Sequence, residues 1–429
     1  MTIPGVEQLS PRQGLRILWT LRRGPAGLPE ALLQARAALG DIFRLRLGRL
    51  DLVVVGHPTA LREALVEKRA AFSWRVEGEP IVRLLRQGLL VQDGASHAYA
   101  RRTMERSNRR RHFLPRLAAL RNPIEKLTHQ WVSGRTYDML VEMRRIALVL
   151  FEAVYFSHDP TPELPKLWKP ILALIKYIGP GPWLLWGASE PPPQALKVID
   201  EHLYSLIRAR KKALNPPDDL LSHLLEAYSD AGIIRDHLLT MLIAGHDTST
   251  AALAWSLYEL GCQPEWQEHL RSEIQGYFGD TCPTPEAVLE LPLLDAFVRE
   301  VLRLYPPIHA GNRRVVEPTD LLGYPLPPGQ RVLLSYYLAH THPAFWEEPL
   351  AFRPERWMAG EKNESFAYVP FSGGPRMCIG APFAQVELRW VLSLLLRKYR
   401  FFLREKHVHP YMGATLEPRP SLYMQIERV

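Results

Sequence analysis

The sequence predicts a mainly α-helical chain with small β-sheets near both ends. Three observations carry that expectation. Apolar residues recur with helical periodicity from Pro58 to about Pro306. Two shorter stretches, around residues 41–55 and 313–335, show strand-like patterning bounded by turn residues. No internal repeat or low-complexity tract divides the 429 residues, so one mixed domain over 1–429 is expected rather than a doubly wound fold.

Composition narrows the class. A hydrophobic fraction of 47% is ample for a sizeable core. Cys262, Cys282 and Cys378 form no C-x-x-C pair and no zinc-ligand spacing, which disfavours a disulfide framework and fits a reducing, cytoplasmic setting. The short apolar run Leu15–Leu21 is flanked by arginines, so neither a signal peptide nor a transmembrane anchor is expected; contact with a membrane to collect substrate is compatible with this. The net charge of +8 does not by itself select a partner.

In chain order, Asp41–Gly48 alternates apolar and basic residues, and Gly48-Arg-Leu-Asp51 turns the chain into Leu52–Val55 as a hairpin. Next comes Gly94–His112, where His97 and Arg101 stand four apart and share a helix face. Arg102, Arg106, Arg109, Arg110 and Arg111 crowd the same segment against Glu105 alone. They form either an ordinary basic surface or a docking patch for an acidic protein. Nucleic acid is disfavoured, because no aromatic interleaving or reader motif accompanies the charge. Pro165–Trp186 is the most apolar stretch, but its lysines and prolines argue against a membrane span. Pro191-Pro-Pro193 and Asn215-Pro-Pro217 mark loops.

A long helix is expected over Arg235–Leu260, with Leu238, Leu239, Leu242 and Ile243 on its apolar side. Ala244-Gly-His-Asp-Thr-Ser249 lies at its middle. A mid-helix glycine costs about 1 kcal/mol against alanine, which suggests close approach by another group. Thr248 can bond back to a carbonyl one turn earlier, opening the helix locally to water. Further on, Glu300 and Arg303 share a helix face, and Pro306 and Pro307 stop that helix. Arg313 and Arg314 follow, then Arg356 within Phe352-Arg-Pro-Glu-Arg-Trp357. Finally, Phe371-Ser-Gly-Gly-Pro-Arg-Met-Cys-Ile-Gly380 sets a lone cysteine in a glycine- and proline-rich loop before an amphipathic run, Ala381–Tyr399. Taken alone, such a cysteine reads as a buried structural residue. Backbone amides of a glycine loop and a helix N-terminus are, however, natural donors to a thiolate.

This segment matches F-x-x-G-x-R-x-C-x-G throughout and resembles the haem-binding loop of the cytochrome P450 family. Ala244–Ser249 resembles the family's A-G-x-[DE]-T segment, and Glu300/Arg303 with Arg356 resembles its E-x-x-R and P-E-R landmarks, in the same order along essentially the whole chain. The resemblance implies a haem b sandwiched between a long distal helix and the proximal cysteine loop. It implies Cys378 as the axial iron ligand, with Phe371, Gly380, Ala244 and Gly245 against the cofactor. Propionate partners would be His97, Arg101, Arg376 and Arg313, with Arg314 open as the alternative to Arg313. Asp247 and Thr248 would supply protons for oxygen activation, while Glu300, Arg303 and Arg356 would hold the cysteine loop. His309 would either contact substrate or turn to solvent. One departure from the family pattern is a shortened, irregular approach to the distal helix at Ser229–Ile234.

The implied activity is insertion of one atom of dioxygen into a C–H bond of an apolar substrate, lipid-like or of terpenoid or carotenoid type. The cavity would draw on residues 72–85, 164–186, 308–310 and 411–415. No G-x-G-x-x-G follows a strand, so electrons would come from a separate ferredoxin-type donor with its NAD(P)H reductase. Two alternatives stand beside this: a peroxide-dependent haem peroxygenase and a non-catalytic haem binder. The intact Asp247-Thr248 pair counts against both.

Overall fold

In the computed structural model the described residues are 2–47, 50–181, 183–358, 365–405 and 407–429. Helices dominate from Pro58 to Leu304 and return at Ala381–Leu396, as the periodicity predicts. The longest helix, Ala231–Cys262, runs through the interior and is buried on nearly every side, so its sequence is apolar all round rather than striped. Against it pack Met139–Tyr155, Pro193–Lys211, Pro292–Leu304 and Ala381–Leu396. We call Ala231–Cys262 the distal helix and Ala381–Leu396 the proximal helix. Ser229–Ile234 differs from the expected irregular approach. Asp230 caps the distal helix, its carboxylate accepting from the Gly232 N–H at 2.6 Å, and regular helix begins at Ala231.

The two expected β regions join in one sheet, apart from strands Thr319–Leu321 and Tyr324–Leu326, which pair with each other separately. Strands Ile42–Leu47 and Leu50–Val55 pair antiparallel; Gly48 and Arg49, where the hairpin turn was expected, lie outside the described residues. Leu50–Val55 then runs parallel to Arg331–Ser335, which pairs antiparallel with Ala310–Val315, and Phe72–Ser73 closes the far edge. Residues almost 300 apart in sequence thus share one mixed sheet, a register that local patterning does not encode. The C-terminal strands Tyr399–Leu403 and Tyr423–Arg428 form a second sheet with Thr136–Asp138. The proximal helix is buried along most of its length, Glu387, Arg389 and Ser393 included, and is not the amphipathic element its sequence suggests.

A buried ionic cluster joins these parts. Glu300 and Arg303 are both fully buried and bidentate, at 2.9 and 2.8 Å. Arg356 Nε, the Trp357 indole N–H and the Arg353 amide also donate to Glu300, at 3.1, 2.9 and 2.9 Å. Arg303 spends its remaining donors on the carbonyls of His340, Pro349 and Ala351. His340 Nδ1 donates to the Arg303 carbonyl at 3.0 Å, while its Nε2 accepts from the Val369 amide at 2.8 Å. This fixes a neutral imidazole, and burial pushes its pKa down to about 3. Val369 begins the turn into the cysteine loop, its carbonyl accepting from Ser372.

Removing one partner of a buried ion pair leaves an uncompensated charge and costs about 3–5 kcal/mol. Glu300→Gln should therefore lower the urea unfolding midpoint by that equivalent and weaken haem retention. An exposed pair such as Arg121–Glu125 provides the contrast: Glu125→Gln should shift the midpoint by less than about 1 kcal/mol.

Candidate active site

The distal helix is almost wholly buried, yet Ala244 is exposed, and Gly245 and Thr248 are partly so. Cys378 is likewise open, although protein surrounds it deeply enough for burial to push its thiol pKa up. These two facts agree if the sulfur faces an internal cleft rather than the outer surface. The amides of Gly380 and Ala381, at the start of the proximal helix, point at the sulfur and oppose that rise, as does Arg101. Burial outweighs them, so the loop's donors alone do not produce the stabilised thiolate that the sequence suggested.

Local geometry explains the loop. Cys378 N–H donates to the Phe371 carbonyl at 2.9 Å, closing the turn. Gly374 has φ +68°, and a Cβ there would lie 2.3 Å from the Leu65 carbonyl oxygen, so only glycine fits. Gly380 is different: a Cβ would meet nothing nearer than the Cys378 sulfur at 3.9 Å. The protein itself leaves the space beside Gly380 free.

Gly245 departs from expectation. A Cβ built on it would lie 2.1 Å from the Phe151 ring, so its missing side chain admits the neighbouring helix Met139–Tyr155. Ala244 and Thr248, one turn apart, are the residues that border the cleft. Thr248 Oγ1 donates to the Ala244 carbonyl at 2.8 Å, the expected back-bond, but the helix runs unbroken through it.

Asp247 lies on another side of the helix. Its carboxylate takes Arg144 Nη2 at 2.9 Å and the Thr415 hydroxyl at 2.9 Å, and it makes no hydrogen bond to Thr248. Arg144 also binds Glu417 at 2.8 Å. Burial works against the Arg144 charge, but the two carboxylates outweigh it and hold its pKa above the usual value. Next to Thr248, Ser249 donates to Glu387 of the proximal helix at 2.5 Å, tying the two open stretches together. Burial pushes the Glu387 carboxyl up to about 8, with the Ser249 bond opposing, and its Oε1 has no partner.

The four expected propionate partners converge. Burial, then Arg376 and Arg101, lower the His97 pKa to about 4. Burial lowers Arg376 to about 10, with Arg313 and Arg101 adding to it and Asp93 opposing. Arg313 and Arg376 both lie over the Trp74 ring, at 3.2 and 4.4 Å from its centroid. Asp93 receives Arg376 at 3.0 Å and Arg101 donates to the Met377 carbonyl at 2.8 Å, but buried Arg313 Nη2 has no hydrogen-bond partner. Arg314 is exposed, so Arg313 is the residue turned inward. Three guanidinium groups beside a neutral imidazole, with a buried donor left over, fit a ligand carrying anionic groups.

His309, between exposed Ile308 and Ala310, shares a hydrogen bond with the Gly413 carbonyl at 3.2 Å. Gly179 abuts Gly413 and Ala414, and helix Pro80–Leu85 packs on Leu164–Ile178. The four stretches expected around a substrate therefore adjoin one another. Trp74, Arg144, Glu387 and Glu417 were missed from sequence. None sits in a motif, and the contacts that bring them to the site (Trp74 with Arg313 and Arg376, Arg144 with Asp247 and Glu417, Glu387 with Ser249) each span more than 100 residues.

A family model described as cytochrome P450 matches residues 11–424. The chain belongs to the cytochrome P450 family. It is a haem-dependent monooxygenase, an oxidoreductase that uses dioxygen, an apolar substrate and a redox partner. Among curated relatives, Protein LUTEIN DEFICIENT 5, chloroplastic, of Arabidopsis thaliana is 28% identical, over 91% of this chain and 72% of its own. Cyclooctatin synthase of Streptomyces melanosporofaciens is also 28% identical, over 94% of this chain and 93% of its own. The fold matches that of the retinoic acid bound cyanobacterial CYP120A1, with a TM-score of 0.84 at 23% identity over 100% of this chain and 99% of the other. Among the described residues no helix is long and apolar enough to cross a membrane.

Packing at Gly245 is testable. Gly245→Ala should destabilise the protein by about 1–3 kcal/mol despite its better helix propensity, because Phe151 must move. Phe151→Ala in the same chain should recover part of that loss in urea unfolding, a coupling that independent sites would not show.

Proposed function

We propose that this P450 hydroxylates an apolar isoprenoid-type substrate, terpenoid or carotenoid, and that Cys378 would hold the iron of a haem b through its sulfur. Haem so bound supplies an iron whose thiolate ligand favours O–O cleavage. His97, Arg101, Arg313 and Arg376 hold its two carboxylates, and the crowding of these four groups is the observation that carries the reading. Phe371 closes the cysteine turn, Gly380 leaves room beside the sulfur, and the small side chain of exposed Ala244 leaves the opposite face clear, while Gly245 makes room for Phe151.

Thr248 holds a proton on Oγ1 at the edge of the cleft, bonded to the Ala244 carbonyl, where it could be turned into the cleft. Asp247 restores that proton once it exchanges Arg144 and Thr415 for water, so Arg144 controls when the acid is free. Residues 72–85, 164–186, 308–310 and 411–415 form the apolar wall that excludes water and orients the substrate.

Electrons come from a ferredoxin-type protein reduced by an NAD(P)H reductase. Arg102, Arg109, Arg110 and Arg111 are exposed next to Arg101, which binds the residue before Cys378, so the basic surface adjoins the proximal loop. Arg106 is paired with Asp218 at 2.7 Å. The whole of 1–429 acts as one domain in the cytoplasm.

The names of two comparison proteins carry isoprenoid chemistry, lutein and retinoic acid, and support the substrate class. Titrating haem-loaded protein with retinoic acid, a diterpene, a carotenoid and a fatty acid tests it. Isoprenoids should displace water from the ferric iron and shift its spin state, more tightly than the fatty acid. A fully haem-loaded protein whose spectrum no apolar compound shifts would contradict the assignment.

A further inference from the structure

A second cluster of ligating side chains lies away from the haem cleft. Glu152, fully buried near the end of Met139–Tyr155, places Oε1 and Oε2 at 3.2 and 3.0 Å from His202 Nε2 on Pro193–Lys211. The chain then leaves the helix through Ser157, at φ +47°, which brings His158 back over the same carboxylate. His158 Nε2 lies 4.0 Å from Glu152 Oε2 and 3.7 Å from Glu163 Oε2. Glu163 is the N-cap of Leu164–Ile178.

These contacts leave chemistry unspent. His158 Nε2 and Glu163 Oε2 are both buried and both without a hydrogen-bond partner, although they face each other. The ligand atoms of Glu152, His158 and His202 all lie within 4.8 Å of one another. A tetrahedral zinc site with bonds of about 2.0–2.1 Å sets its ligand atoms roughly 3.3 Å apart. Within Glu152, His158 and His202 the separations run from 3.0 and 4.0 Å to within 4.8 Å, so the side chains would draw in toward an ion, and Glu163, 3.7 Å from His158, would join them as the fourth ligand. Two carboxylates carry the charge that a divalent cation cancels, an ion would take the place of any imidazole proton shared with Glu152, and the mixed nitrogen and oxygen set suits zinc.

We propose that Glu152, His158, Glu163 and His202 bind a divalent transition-metal ion, zinc foremost, which ties helices Leu164–Ile178 and Pro193–Lys211 to the end of Met139–Tyr155. Those two helices pack on each other, and the first carries part of the apolar wall assigned to the substrate. The ion would thus brace the cover of the cleft. That consequence rests on the substrate reading, whereas the metal site itself does not.

The test uses chelator-treated, haem-loaded protein and zinc chloride. One equivalent of zinc should bind and raise the melting temperature. The zinc absorption edge should show nitrogen and oxygen scatterers at about 2.0–2.1 Å and no sulfur. His158→Gln and Glu163→Gln, both partly exposed positions, should each weaken zinc binding at least tenfold while keeping the haem spectrum and the metal-free melting temperature. Failure to bind zinc, sulfur in the coordination shell, or binding unchanged in both variants would overturn the site. None of these outcomes would touch the isoprenoid titration, so the two readings fail separately.

Discussion

One buried carboxylate carries more of this architecture than any other group. Glu300 accepts from Arg303, Arg356, the Arg353 amide and the Trp357 indole, so each oxygen is satisfied by charged or polar donors away from water. Buried ions persist only under such conditions, since an unpaired charge in the interior costs several kcal/mol. Arg303 passes the order on through backbone carbonyls, and His340 carries it to Val369 by using one nitrogen as donor and the other as acceptor. Cys378 hangs on the turn that follows, through its bond to the Phe371 carbonyl. The sulfur's position is thus set by a hydrogen-bonded chain that begins in a different helix. A proximal loop of glycine and proline would otherwise have too little side chain to hold itself.

On the opposite side the distal helix serves two demands with adjacent residues. Gly245 lets Phe151 in, Ala244 leaves the cleft open, and Thr248 presents a hydroxyl at its edge. Asp247 and Ser249 point elsewhere, into the Arg144–Glu417 network and to Glu387. Because successive helical residues are about 100° apart, an acid next to a threonine in sequence does not meet it in space. In the proposed relay the supply of protons would therefore depend on Arg144, a residue from another helix.

Much of the fold was legible because its signals are local. Helical period, proline stops before Tyr305-Pro-Pro307 and the strand pattern of residues 313–335 are each contained within a short window. The sheet uniting Leu50–Val55 with Ala310–Val315 and Arg331–Ser335 was not, since parallel pairing of Leu50–Val55 with Arg331–Ser335 is a long-range choice. Ser229–Ile234 reads as irregular because Asp230 and Gly232 weaken helix propensity, yet the Asp230 cap turns that weakness into a start signal. Within the site, motif residues such as Cys378, Arg376 and Thr248 could be picked out one by one. Trp74 and Arg144 could not, for they act only through partners brought by tertiary packing. Gly245 does meet a close neighbour, but the group that approaches is Phe151 of another helix and not the cofactor the motif suggested.

The central claim is that the sulfur of Cys378 is the axial ligand of the haem iron. Its most direct test is the reduced carbon monoxide spectrum of Cys378→Ala beside that of the unaltered protein, at matched haem content. The account predicts that the variant loses the thiolate signature, while the cationic cluster lets it retain haem. A variant that kept the spectrum of the unaltered protein would contradict the account.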